Sequence, residues 1–194
     1  MSGAQRMRSA DSREPEPDDP AGPGSSERWI GYLRWCREDL IHDVLALTPA
    51  ERRTSPVPSG WTPIELLSHV LHMEQRWFVW GFLAEPVADP WGDWNMPEPW
   101  TADDSDEVRG GARWVVPDHL GAEELAERLR AIGSRSEQIL RATPPATRAA
   151  TGGRFADGSP PTLEWICFHV LSEYARHAGQ LDIVVETLRA DRAR

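Results

Sequence analysis

TLEWICFHVLSEYARHAGQLDIVVETL, residues 162–188, is the longest uninterrupted helical pattern in the chain. Apolar residues recur at three- and four-residue steps, at Leu163, Ile166, Val170, Tyr174, Leu181, Val184 and Leu188. An α-helix turns by about 100° per residue, so these positions share one face. His177 projects into that face one turn before Leu181, and Glu173, four residues earlier, stands at its edge. A charge without a partner on a core-facing stripe is too costly to keep. The partners on offer are a metal ion, an arginine, or each other.

Three further helices are predicted upstream. Residues 27–47 carry the stripe Trp29, Tyr32 or Leu33, Cys36, Leu40, Val44 and Leu47, with Ser25 or Ser26 as cap. Residues 63–83 open on Trp61-Thr62-Pro63, where Thr62 as N-cap, Pro63 at the first helical position and Glu65 at the third make a capping box. On a helical wheel its polar arc holds Ser68, His72, Glu65, Gln75 and Arg76. His69 sits at the boundary beside Met73 and Trp80, and Glu74 falls inside the apolar arc. Residues 122–141 carry Leu125, Leu129, Ile132, Ser136, Ile139 and Leu140 and end before Pro144-Pro145. Thr162, again after prolines, caps the fourth helix, and residues 151–155 are expected to be a short extended segment.

Two segments do not read as elements. Residues 1–26 are polar and rich in Pro, Gly, Ser and acids, a composition expected of a disordered tail. Residues 85–119 carry five prolines with Trp91, Trp94, Trp100 and Trp114 between them. A connection this long is usually functional, and the tryptophans give it something to bury, either on the outside of the bundle or as a roof over a pocket. The expected fold is all-α: a four-helix up-down-down-up bundle over residues 27–194, with this Trp/Pro-rich crossover between helices two and three. Six residues follow Leu188, so no second domain is expected.

The bulk numbers narrow the function classes. A net charge of −10 argues against phosphate-driven nucleic-acid binding. No stretch approaches a membrane span and the start of the chain has no signal-peptide core, so a cytoplasmic protein is expected. The two cysteines, Cys36 and Cys167, form no CxxC pair and read as reduced thiols. All 21 basic residues are arginine, a codon bias of high-GC bacterial genomes.

The chemistry converges on His69, Glu173 and His177. One histidine from helix two and a Glu-x-x-x-His pair one turn apart on helix four supply two nitrogens and a carboxylate oxygen, the ligand set of a divalent ion with an open position. Zinc leads, and nickel, manganese, iron or cobalt also suit these donors. An open position would take water or a substrate thiolate and lower its pKa. The plainer alternative is a core histidine at His177 bonded to Glu173, and His72 replaces His69 if helix two is rotated. His169 reads as an exposed residue or a neighbour of the ligands, and His119 and His42 as solvated. Glu74 is expected to neutralise an arginine such as Arg176, to orient a ligand histidine, or to reach solvent on a rotated helix.

Trp61-Thr62-Pro63, LLSHVLHMEQRWF and EYARHAGQLDIVVE together resemble the DinB-like superfamily over nearly the whole chain after the tail. Within it the chain is similar to the amino-terminal domain of mycothiol-dependent maleylpyruvate isomerase and to the single-domain actinobacterial mini-circle-protein type. The resemblance implies a four-helix bundle with a divalent metal. Its first ligand lies five residues before a glutamate, here His69 before Glu74, and the others fall on Glu173 and His177. It also implies a low-molecular-weight thiol such as mycothiol as partner of a small electrophilic substrate. The chain is expected to lack the isomerase's second domain, and it carries the Trp-rich crossover. A metal-dependent thiol S-transferase or isomerase is therefore expected in general terms, with Glu74, His169 and Arg176 around the ligands. The competing readings are a non-catalytic metal- or small-ligand-binding protein, stress-related in role, and a homodimeric module packing through Trp29 and Trp35.

Overall fold

The structure, a computed structural model, describes residues 17, 26–87, 116–156 and 158–192. The Trp-rich stretch with Trp91, Trp94, Trp100 and Trp114, and nearly all of the expected tail, lie outside the described residues. Among the described residues four α-helices form and no strand does: α1 (Ser26–Leu45), α2 (Pro63–Gln75), α3 (Ala122–Ala142) and α4 (Leu163–Arg192). The all-α four-helix fold is the one the periodicity predicts.

Local chemistry explains the helix starts. The Glu65 N–H donates to Thr62 Oγ1 at 3.4 Å, and Glu65 Oε2 accepts from the Thr62 N–H at 2.8 Å, which completes the capping box. The Trp165 N–H donates to Thr162 Oγ1 at the start of α4. Periodicity explains the packing. All seven apolar stripe residues of α4 are buried, and each fully buried leucine or isoleucine contributes roughly 1.5–3 kcal/mol. His177 is buried among them.

α1 and α2 each pack along both α3 and α4. α1 and α3 run antiparallel, because Glu27, Arg34 and Glu38 meet Arg141, Glu137 and Arg130 in reverse order. α2 and α4 also run antiparallel: His69 meets His177, and Trp77 meets His169. α1 and α4 run parallel, with Trp29 edge-on to Phe168 at one end and Glu51, just past α1, on Arg192 at the other.

Several expectations need correction. The helix begun by α2 does not stay α-helical to residue 83: Arg76–Phe82 is π-helical, closing with the Leu83 N–H on the Phe78 carbonyl. The wider turn changes which side each later residue faces, and a 3.6-residue wheel cannot anticipate that. The polar arc of α2 is not a solvent face, since Ser68, His72 and Arg76 are all buried. α2 touches the other three helices and the 3₁₀ turn Glu51–Arg53, so nearly its whole circumference is covered. The segment expected to be extended instead holds a 3₁₀ turn, Gly153–Phe155. At φ +49° Gly153 brings its backbone onto the Trp80 carbonyl, where a Cβ would overlap it, and this seats the turn on the π-helical stretch. Apart from these corrections, Trp29 and Trp35 are each half-buried, and Trp35 packs edge-on to Tyr32.

Among the described residues, a charged network lies in the interior. Arg37 of α1 grips Glu74 of α2 with two hydrogen bonds, Nε to Oε2 at 3.1 Å and Nη2 to Oε1 at 2.8 Å. The Tyr174 hydroxyl of α4 donates to the same Oε2. Burial opposes the Arg37 cation, but Glu74 outweighs it and the arginine pKa is raised. Burial and then Glu74 push the Tyr174 phenol well up, so it stays protonated and donates. Gly133 of α3 leaves the room: a Cβ there would collide with the Arg37 guanidinium. Glu74 thus finds its arginine on α1 rather than in Arg176, and it faces the core.

Candidate metal centre

α4 presents Glu173 and His177 one turn apart, and the antiparallel α2 brings His69 against them. The His69 and His177 rings lie 4.7 Å apart at 76°, edge to face. His177 Nε2 stands 3.5 Å from Glu173 Oε2. One ligand-type atom from each of the three residues lies within 4.8 Å of the others. Ligands about 2.1 Å from one tetrahedral ion sit roughly 3.4 Å apart. The Glu173–His177 spacing already matches that value, and side-chain torsions close the remainder.

The protonation states suit the same use. Gln180, one turn on from His177, places its Oε1 2.9 Å from His177 Nδ1. A carbonyl oxygen only accepts, so the proton sits on Nδ1 and the lone pair on Nε2, the atom that faces Glu173. Burial, reinforced by His177, Arg76 and His72, pushes the His69 pKa down to about 2. His69 is therefore neutral near pH 7, with a ring nitrogen able to ligate. The donor set fits a divalent ion in type, charge state and spacing.

The other histidines stand apart from this group. His72 is buried, and its Nδ1 lies 2.7 Å from the Ser68 carbonyl. His119 is exposed, as expected, and His42 is half-buried beside Asp43. His169, four residues before Glu173, is half-buried, stacked on Trp165 at 5.4 Å and 12° and tilted against Trp77 at 4.1 Å. Its pKa is lowered, chiefly by burial; Glu173 opposes, and Arg154, Arg76 and Arg176 reinforce. Arg176 is exposed and reaches Glu173 Oε1 at 3.5 Å. Arg176 thus touches the ligand group and His169 stands one turn before Glu173, while Glu74 is bonded to Arg37 and Tyr174.

Sequence reasoning left Gln180, Arg76, Trp165 and Arg154 without a role. Gln180 had a signal, three residues after His177 on the same helix. Arg76 was placed toward solvent by the wheel. Arg154 had no signal, because a loop residue has no periodicity. Its guanidinium carbon lies 4.3 Å above the Trp77 ring.

Neither cysteine belongs to the site. Burial pushes the Cys36 thiol up to about 11 and the Cys167 thiol up to about 12. A thiol for chemistry would have to arrive from solution.

Fold and site together define a class: a four-helix protein whose second and fourth helices bring histidine, glutamate and histidine to one point beside an aromatic and arginine-rich wall. Residues 28–190 match the family described as Mycothiol-S-transferase. The chain belongs to that family, and through it to the DinB-like superfamily. The comparison with curated proteins found no match. Among the described residues no helix is long and apolar enough to cross a membrane.

Proposed function

We propose that this protein is a cytoplasmic, metal-dependent enzyme that joins a low-molecular-weight thiol of the mycothiol type to a small electrophile. His69, Glu173 and His177 hold the ion, zinc first, with nickel, manganese or iron as alternatives. The observation that carries the reading is the gathering of these three donors within 4.8 Å in a chain of the mycothiol-S-transferase family. A divalent ion there would lower the pKa of an incoming thiol, so that sulfur reacts as thiolate at neutral pH. The residues supply the rest. Gln180 keeps the proton on His177 Nδ1 and so keeps Nε2 turned toward Glu173. Burial keeps His69 neutral. Trp165, half exposed, gives the electrophile an apolar surface beside the ligands, with the buried Trp77 packed behind it. In the transfer, a sulfur–carbon bond forms, the thiol proton passes to solvent, and the displaced electron pair leaves with the electrophile's leaving group or its π system.

Elemental analysis of the wild type beside His177→Ala is the first test, followed by conjugation of a surrogate thiol to a panel of electrophiles. One divalent ion per chain, lost in the variant, together with metal-dependent conjugation is the expected result. Absence of metal, even after incubation with zinc, nickel or manganese, would return the three residues to the core. Metal without conjugation would favour a binding protein instead.

A further inference from the structure

The ridge of α4 that carries two of the ligands continues past them. Trp165, His169, Glu173 and His177 follow one another at four-residue steps, so neighbours in the series have Cβ atoms about 5–6 Å apart along one side of the helix. α2 and its π-helical continuation lie against the same ridge, where His69 meets His177 and Trp77 meets His169. His169 therefore stands between Trp165, which is 50% exposed, and the donors Glu173 and His177. The metal and thiol reading uses both ends of this series and gives His169 no part.

His169 is held in a different way from its neighbours. His177 is fixed through Nδ1 by Gln180, and His72 through Nδ1 by the Ser68 carbonyl. His169 is fixed through its ring faces: its plane lies 12° from that of Trp165 at 5.4 Å, and Trp77 tilts against it at 4.1 Å. Aromatic contacts of this kind restrict the ring while its nitrogens, which bond in the ring plane, stay available. The residue is half-buried, so part of it is open to a molecule arriving from solution.

Its charge state suits a proton acceptor. Burial lowers the His169 pKa first of all; Glu173 opposes, and Arg154 of the 3₁₀ turn, Arg76 of the π-helical stretch and Arg176 of α4 reinforce the lowering. The ring is therefore neutral near pH 7, and a neutral imidazole has one lone pair ready for a proton. A thiol needs such a group within reach, because the thiolate rather than the thiol is the nucleophile.

We propose that His169 is the catalytic base of the thiol transfer, taking the thiol proton while the sulfur lies beside Glu173 and His177 and the electrophile rests on Trp165. The assignment adds a residue to the proposed function and rests on that reading. The S–H bond breaks with its proton on a ring nitrogen of His169 and its electron pair on sulfur. A sulfur–carbon bond then forms, the displaced pair goes to the leaving group or π system of the electrophile, and His169 gives its proton to solvent.

Two thiols separate a base from a packing residue. N-acetylcysteine keeps its proton near pH 7, whereas thionitrobenzoate is already ionised there and has none to give. With monochlorobimane as electrophile and the zinc-loaded full chain, His169→Gln and His169→Phe should each lower kcat/KM for N-acetylcysteine by about 100-fold and leave that for thionitrobenzoate nearly unchanged. His169→Phe keeps an aromatic ring against Trp165, so a loss shared by both variants is not a loss of stacking. Proton release on thiol binding is a second readout and needs no turnover. Calorimetry in two buffers of different ionisation enthalpy should count about one proton fewer released per N-acetylcysteine bound by the wild type than by His169→Phe. Zinc affinity in a chelator competition should be the same in all three proteins. Equal proton release, or a loss of the same size for both thiols, overturns the assignment, and it does so even where metal-dependent conjugation by the wild type holds. Weaker zinc binding in both variants makes His169 a support of the ligand group and also overturns it. A wild type that retains the proton on binding but transfers nothing keeps His169 as the proton acceptor and removes the enzyme reading. A wild type that binds no thiol overturns both.

Discussion

Glu74→Ala is expected to be among the most destabilising single changes in this protein. Glu74 is fully buried, and the Arg37 side chain it neutralises is only 3% exposed. Removing the carboxylate leaves a buried guanidinium without its bidentate partner, with only Glu137 at 3.9 Å from Nη1 to offset the charge, at a cost of about 3–5 kcal/mol. The Tyr174 hydroxyl loses its acceptor at the same time, which adds to the upper end of that range. For a chain of this size each kcal/mol lowers Tm by about 2–4 °C, so a fall of roughly 6–20 °C is expected. Glu38→Ala is the control, because Glu38 pairs with Arg130 on the surface, where such pairs contribute at most about 1 kcal/mol. The triple change Arg37→Leu, Glu74→Leu and Tyr174→Phe removes the three bonded groups together, leaves Glu137 to Arg34 and Arg141, and should return most of the lost stability. Gly133→Ala attacks the network from the opposite side, since its Cβ must displace the Arg37 guanidinium, and it should lower Tm although Ala is the better helix former. Thermal and urea unfolding read all four. If Glu74→Ala loses no more stability than Glu38→Ala, or the triple variant is as unstable as Glu74→Ala, the account of this network is wrong.

Three other predictions follow from neighbouring features. Gln180→Leu removes the acceptor for His177 Nδ1 and should weaken metal affinity by about 10–100-fold in a chelator competition, with the helical signal unchanged. Neither Cys36 nor Cys167 should react with a disulfide reagent at pH 8 in the folded protein, and both should react in denaturant; rapid labelling of either under native conditions would contradict their raised pKa values. Burial alone would raise the Glu137 carboxyl, but Arg34 and the charges of Arg37 and Arg141 outweigh it and hold it below its ordinary value of 4.5. A depressed carboxylate stabilises the fold above the unfolded pKa and loses that contribution as pH falls through the folded one. Glu137→Gln should therefore be less stable than wild type at pH 7, with the difference shrinking as pH drops below about 4.5; a difference that grows with acid would reverse the sign of the argument.

The helices, the Thr62 and Thr162 caps and the Glu173–His177 pair were legible in the amino-acid order because each depends on residues three or four apart. Hydrophobic stripes, the Thr62–Glu65 box and the spacing of two side chains on α4 are properties of one segment, and no tertiary contact is needed to state them. What the folded chain alone decided is non-local. The wheel could not find Arg37 as the partner of Glu74, because the two lie 37 residues apart on different helices. It placed His72 and Arg76 toward solvent, because an arc drawn from polarity does not know that α2 is covered around nearly its whole circumference. The π-helical stretch broke the 3.6-residue period on which every such placement rests, and it set Trp77 beside His169 and under Arg154, a residue of an aperiodic loop. The meeting of His69 with Glu173 and His177 belongs to the same group, since local spacing puts two donors on one helix and only antiparallel packing of α2 on α4 brings the third.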